Sequence, residues 1–415
     1  MTSRSIFGLI LFASGCLTGG ERPAGAFEID RYGTMIASTS EFSFFPDEPM
    51  LFRESRTVAS LTRLRPFLDA SLSETISIES AIGCDLSMDT SQSNPMFEPG
   101  MENRSLWRHP DLSRMLRNES GDASTVTTGV SVDRLAVQWR SQQTEVGIGR
   151  QAINWSGMFF LGPNDLFHPF LAQEFEKTYK TGVDAIRVRR LIGPLTELEI
   201  CGVAGYDGPE PDWKRSAAVC RMITTAANLH IEILGGRYLD RTLWGGAMQG
   251  GVGRLGFRCE GRYLGADPEH DRRADFEAAG GLDYRSSDSM HLIIEYLYHE
   301  RGVSDPDDYM AALASAARTD PFLARHYILL TLDHEIHPLI RWDVSILMNA
   351  VDGSGRLALD AAFSLADEAD LIAGIARPFG DDAETASRPG ESPIRLPSEF
   401  GVYPDVLYLE LRVFL

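Results

Sequence analysis

The last eleven residues, DVLYLELRVFL, alternate strictly. Leu407, Leu409, Leu411, Val413 and Leu415 fall on one side of an extended strand, and Tyr408, Glu410, Arg412 and Phe414 on the other. The same two-faced pattern recurs along the chain. TISIESAIGCDLSM begins at Thr75. DRLAVQWR sets Leu135, Val137 and Trp139 against Arg134, Gln138 and Arg140, and AIRVRR sets Ile186 and Val188 against Arg187 and Arg189. LGFRCEGRYL sets Phe257, Cys259 and Tyr263 against Arg258, Glu260 and Arg262. MHLIIEYLYHE sets Leu292, Ile294 and Tyr296 against His291, Glu295 and His299. LIRWDVSILMN sets Trp342, Val344 and Ile346 against Arg341, Asp343 and Ser345.

The links between these strands fall into two kinds. Short ones stand at 69–73, 141–143, 193–194, 226–228, 250–253, 286–288, 335–338 and 367–369. Longer, polar ones stand at 89–130, 152–181, 205–215, 265–272, 300–324 and 377–404, with two short exceptions near 237–242 and 350–354. Short turns at one end and long loops at the other are the connectivity of a membrane β-barrel. The fold class predicted is all-β, a transmembrane antiparallel β-barrel of about 18 strands, with 16 as the lower count. Its turns are short on the periplasmic side and its loops long on the extracellular side. Residues 34–45 supply the first strand, and both termini lie on the short-turn side. Closure explains a long aliphatic strand at the end of the chain, because it pairs with the first strand and leaves no edge. A soluble sandwich is the competing fold. It does not account for runs of about 10 residues, the length a tilted strand needs to cross a bilayer.

Composition agrees. The chain has 415 residues, 38 of them glycine, a formal net charge of -20 and 59 acidic against 39 basic residues. With no basic stripe, nucleic acid is not expected as a partner. Mean hydropathy is -0.14, and no long apolar run follows the N-terminal region. Residues 1–26 have the form of a secretory signal peptide: Arg4, an apolar stretch from Ile6 to Leu17, then Ala24-Gly25-Ala26. The alternatives there are a membrane anchor or lipidation at Cys16. Residues 27–415 then form one barrel domain.

The candidate chemistry is sparse. No cysteine pair has zinc spacing. DHEIHP, with His334, Glu335 and His337, is not a metalloprotease motif, and no G-x-S-x-G is present. The reading is therefore no enzyme, no catalytic residue, no metal and no cofactor. The segment before the first strands is too short for the plug of an active transporter. Cys201 and Cys220 flank a link centred near residue 210, which brings them level on neighbouring strands. Two free thiols are the favoured state and a disulfide the alternative.

Pore-lining residues are read from the charged face: Arg134, Arg140, Arg187, Arg189, Arg258, Glu260, Arg262, Arg341, Asp343, Glu410 and Arg412. The link 152–181 differs from the others because large apolar residues crowd its first half. It is expected to fold inward and narrow the pore, with Arg150, Trp155, Asp165, Phe167 and Phe170 as the constriction set and an Arg150–Asp165 pair holding it down. Its alternative seat is the rim or the outer leaflet.

The signal, the alternating strands and the terminal strand resemble the Gram-negative outer-membrane porin superfamily over essentially the whole mature chain. Gly149, Arg150, Gln151, Trp155, Asp165, Phe167, Pro169 and Phe170 resemble a segment of porin-like proteins grouped near alginate-export-type barrels. The resemblance implies a barrel in the outer membrane, surrounded by phospholipid and lipopolysaccharide and inserted by the barrel assembly machinery. Such barrels typically end in an aromatic residue, where this chain has Phe414-Leu415. The function expected is a channel for passive diffusion of small polar or charged solutes. The other class is a non-conducting structural or adhesive barrel.

Overall fold

The computed structural model describes residues 28–44, 56–89, 106–120, 124–167, 180–267, 273–287, 289–314, 322–385 and 394–415. The expected signal peptide, Cys16 and Phe170 lie outside the described residues.

Eighteen antiparallel strands close into one barrel. In chain order they are β1 (Glu28–Phe44), β2 (Arg56–Ser71), β3 (Ile76–Asp89), β4 (Ser124–Arg140), β5 (Thr144–Gln151) and β6 (Val183–Leu191). Then come β7 (Thr196–Val203), β8 (Ala217–Ala226), β9 (Leu229–Tyr238), β10 (Arg241–Val252), β11 (Leu255–Leu264) and β12 (Asp275–Ser287). The last six are β13 (Met290–His299), β14 (His326–His337), β15 (Ile340–Asn349), β16 (Gly355–Ala366), β17 (Ala369–Phe379) and β18 (Asp405–Phe414). The ring closes where β1 pairs with β18, from Met35↔Phe414 to Phe44↔Asp405. A further strand, Ser113–Ser120, pairs along the long-loop half of β4, beyond the point where β5 ends.

Both described ends of the chain lie at the short-turn side, since Glu28 pairs with Ser71 and Phe414 precedes the final residue. The first strand is longer than expected and begins at Glu28 rather than near 34. Its added residues pair with β2 across one register shift between Ile29 and Arg31, and Arg31 donates to Asp69 there at 2.6 Å. Two-residue turns at Ala227-Asn228 and Leu239-Asp240 have positive φ at both positions, the type I′ geometry whose twist suits a tight hairpin.

The two faces are unlike. On β18, Leu407, Leu409 and Leu411 are 50%, 49% and 41% exposed, while Tyr408 and Glu410 between them are buried. The aliphatic face is the outer one, suited to lipid. Aromatic residues mark its borders. Trp244, Tyr263 and Phe276 stand in one register row toward the long-loop end, and Trp342 and Tyr284 sit near the short turns. Such girdles belong at the bilayer–water interfaces.

The barrel interior is not empty. One apolar cluster joins Met158 and Leu161 to Leu329, Leu347, Tyr309, Leu396 and Phe400. Another joins Trp107, Trp155 and Phe167 to Ala185, Val219, Leu234 and Leu243. Loop side chains therefore pack onto the inner wall on two sides.

Cys201 and Cys220 are not level. Cys201 pairs with Val219, and Cys220 with Ile200. A one-residue offset reverses the face, so Cys201 is buried inside and Cys220 is exposed outside. All four described cysteines are free thiols.

Candidate functional site: the barrel lumen and its inner loop

The expected pore-lining residues all stand on strand faces turned away from the exposed aliphatic ones. Arg134 lies beside the outward Leu135, Arg187 and Arg189 bracket Val188, and Arg258, Glu260 and Arg262 alternate with Cys259 and Tyr263. Arg341, Asp343, Glu410 and Arg412 follow the same rule on β15 and β18.

Across β4 to β8 the inward side chains form a single register row of alternating sign. Arg140 faces Glu145, Glu145 faces Arg189, Arg189 faces Glu199 and Glu199 faces Arg221. Arg189 lies 2.5 Å from Glu145, and Arg187 reaches Glu199 at 2.9 Å. Toward the short turns, this wall borders a half-open polar cavity of about 430 Å³ lined by Arg140, Arg187, Arg189, Glu79, Gln138 and Gln151.

The described part of the 152–181 link lies inside the barrel and is pinned by carboxylates of the wall. Glu295, fully buried on β13, accepts from the backbone N–H groups of Phe159 at 2.7 Å, Phe160 at 3.0 Å and Leu161 at 2.9 Å. Glu260, on β11, accepts from Ser156 Oγ at 2.9 Å, Gly157 N at 2.8 Å and Asn164 N at 2.9 Å. Irregular backbone inside a barrel carries donors that no ladder satisfies. Two wall carboxylates supply acceptors, and charge-assisted bonds of this kind are the stronger ones.

The loop's aromatic residues divide between wall and opening. Trp155 donates Nε1–H to Glu199 at 2.8 Å and packs edge-on to Phe167, which in turn packs edge-on to Trp107. Phe159 and Phe160, which sequence reading left out of the constriction set, are 39% and 40% exposed. Phe159 lies beneath the Arg258 guanidinium, 3.5 Å from the ring centroid, and against His291.

The expected Arg150–Asp165 pair does not form. Asp165 is bonded to Lys180. Burial pushes the Asp165 carboxyl up and the Lys180 ammonium down, as desolvation of both partners requires. Arg150 instead holds its direct register partner Asp184, through Nε at 2.6 Å and Nη2 at 2.9 Å. It also donates to the backbone carbonyls of Val132 at 2.9 Å and His109 at 3.3 Å. It is therefore a seam residue of the wall, where β5 stops and the 113–120 strand begins. Two irregularities put it there: Gly149 has φ +122, and Asp133 is an extra residue in β4 opposite β3.

Sequence reading put Glu199 and Glu295 on the charged face without assigning them an anchoring role, and missed Arg221 and Glu232, which also hold the interior together. Each stands opposite exposed aliphatics in an alternating strand, and that parity is the available signal.

No family model matches the chain, and no curated protein matches it. Solved structures do. OccK7 (OpdD) of Pseudomonas aeruginosa aligns at TM-score 0.55 and 10% identity, covering 94% of this chain and 98% of its own. OccK5 (OpdH) of the same organism aligns at 0.55 and 8%, covering 94% and 99%. OccAB3 of Acinetobacter baumannii aligns at 0.53 and 9%, covering 93% and 99%. The expected likeness to alginate-export-type barrels finds no support among these structures. At such identities the likeness is one of fold, and the fold shared over nearly the full length of both chains is that of an Occ-type outer-membrane barrel.

Proposed function

We propose that this protein is an outer-membrane channel through which small polar or charged solutes diffuse passively. The observation that carries the reading is a loop fixed by Glu260 and Glu295 within a closed barrel whose inner wall is charged. A barrel of about 18 strands encloses more space than its own side chains fill, and charged walls hold water and sort ions. The solved structures it resembles are outer-membrane porins. In this reading the loop narrows the passage, with Phe159 and Phe160 at its free edge and Trp155 and Phe167 as its attachment to the wall.

The apolar cluster of Tyr309, Leu396, Phe400 and Leu347 favours a second reading. Loops that pack this firmly onto the inner wall also suit a barrel that conducts nothing.

Single-channel recording of purified, heat-modifiable protein in planar bilayers separates the two. Discrete conductance steps are expected, and deleting Met158 to Phe170 should enlarge them. A folded protein that gives no steps, with or without the loop, overturns the channel reading.

A further inference from the structure

The cavity toward the short turns has a neutral side as well as a charged one. In the inward row next to Arg140 and Glu145, Gln138 faces Gly147 and Gly147 faces Arg187. Gly147 leaves a gap in the wall, and two amide side chains turn into it. A Cβ there would lie 2.5 Å from Gln138 Oε1 and 2.9 Å from Gln151 Oε1. Gln151 donates its Nε2–H to the Ala185 carbonyl at 3.2 Å, so its oxygen is the end left toward Gly147. The Gln138 side chain lines the cavity and has no hydrogen-bond partner among the described residues.

Donors stand one row nearer the turns. Arg140 and Arg189 share Glu145, at 3.4 and 2.5 Å, and their side chains remain 62% and 32% exposed. A guanidinium carries five N–H donors, and Glu145 occupies only part of the ten. The other two arginines that line the cavity are paired as well, Arg31 with Asp69 at 2.6 Å and Arg187 with Glu199 at 2.9 Å. Hydrogen-bond donors and acceptors therefore stand side by side, and every cation among them already has its counter-charge.

A hydroxyl is the group that donates and accepts at once. A carboxylate would use only the arginine donors and would be set against Glu145 and Glu79. An ammonium would use only the amide oxygens and would be set against Arg140 and Arg189. The volume of about 430 Å³ falls in the range of small-molecule pockets. Ala152, the first residue after β5, also lines the cavity, so it begins where the inner loop leaves the wall.

We infer that this cavity binds neutral polyhydroxylated solutes, sugars and polyols, with Gln138 and Gln151 as the specificity-determining residues. This deepens the channel reading and rests on it: a solute that has passed the inner loop is held at the two amides before it reaches the periplasmic side.

The test is block of ion current by glucose, added to both sides of bilayers that hold the full protein in potassium chloride. Block should saturate with concentration. Gln138→Leu should raise the half-blocking concentration about 2- to 12-fold, the equivalent of one neutral hydrogen bond of about 0.5–1.5 kcal/mol. That variant removes no charge, so its potassium chloride conductance should stay near that of wild type. Gly147→Ala, whose methyl group displaces the two amides, serves if Gln138→Leu does not assemble, again with weaker block, and heat-modifiable mobility checks folding. Sodium acetate and glycine are the anionic and zwitterionic comparisons, and both should block less than glucose at equal concentration. A conducting wild type that glucose does not block, stronger block by acetate or glycine, or a folded Gln138→Leu with unchanged block overturns this inference alone. A folded wild type that passes no current overturns the channel reading, and this inference with it.

Discussion

The ring of Tyr408 lies over Gly374, its register partner across β17 and β18, and its hydroxyl donates to Asp360 on β16 at 2.5 Å. A Cβ at Gly374 would overlap both the ring and that carboxylate. Similar aromatic-over-glycine pairs join Phe67 to Gly33, Trp244 to Gly235 and Phe379 to Gly355. An aromatic ring laid across a glycine covers backbone that would otherwise be bare and fixes the register. Gly374→Val is therefore expected to destabilise the barrel by about 1–3 kcal/mol, the usual result of forcing methyl groups into a filled site. Tyr408→Phe keeps the ring and should cost only about 1 kcal/mol, one hydrogen bond. The temperature at which the compact gel band converts to the unfolded one measures both. Equal shifts for the two variants would show that the bond, not the ring, matters.

Arg150 tests the wall seam. Its guanidinium joins Asp184 to two backbone carbonyls. Arg150→Met leaves Asp184 without this partner, and breaking one side of a buried pair costs about 3–5 kcal/mol. Arg150→Lys should recover only part of that, since an ammonium cannot span the same acceptors. If lysine restores full thermal stability, the fork geometry is irrelevant to the seam.

Much of this was legible in the sequence, for a simple reason. A period of two assigns every residue to a face, so the inward list from Arg134 to Arg412 followed from parity alone. What parity cannot see is a break in itself. Asp133 is an extra residue in β4, and Arg150, which shares the parity of the outward Ile148, is nonetheless buried after the positive φ at Gly149 and serves as a wall clamp. The level placement of Cys201 and Cys220 failed by one residue of register, which separates level from opposite-facing, while their expected free-thiol state stands. The loop anchors were hidden differently. Glu295 meets Phe159 across 136 residues of sequence, and no local pattern carries a contact that distant. The aromatic crowding after Asn154 did signal that the segment needed shelter; the acceptors for its backbone had no signature beyond being carboxylates on an inward face.

Glu295→Ala should loosen the inner loop. It removes acceptors from the N–H groups of Phe159, Phe160 and Leu161, each bond to a charged group contributing about 1.5–3 kcal/mol. Glu295→Gln keeps one acceptor oxygen and should loosen it less. Channels of the alanine variant are expected to be larger and noisier, in the order alanine, glutamine, wild type. A quiet alanine channel of wild-type size would mean that the apolar contacts of Met158 and Leu161 hold the loop unaided.

Lys180→Met gives the loop a pH dependence whose sign is fixed by its partner. Burial already raises the Asp165 carboxyl, and Lys180 is the main group opposing that rise. Without the ammonium, the carboxyl in the seated loop moves higher still, while in a detached, solvated loop it returns to the ordinary value. The seated state then binds the proton more tightly than the detached one. Seating is therefore fully favoured below the ordinary carboxylate range and is lost as pH rises through the raised value. At neutral pH an unpaired buried carboxylate remains, at a cost of about 3–5 kcal/mol to the seated loop. Proteolysis of the folded variant should accordingly cut near Asp165 at neutral pH and spare it in acid, while wild type, with its pair intact, resists at neutral pH. The double variant Asp165→Asn with Lys180→Met removes both charges and should resist at either pH, because two neutral groups carry no such penalty. Cleavage of the double variant as rapid as that of Lys180→Met would place the cost in lost packing of the lysine stem rather than in the stranded charge.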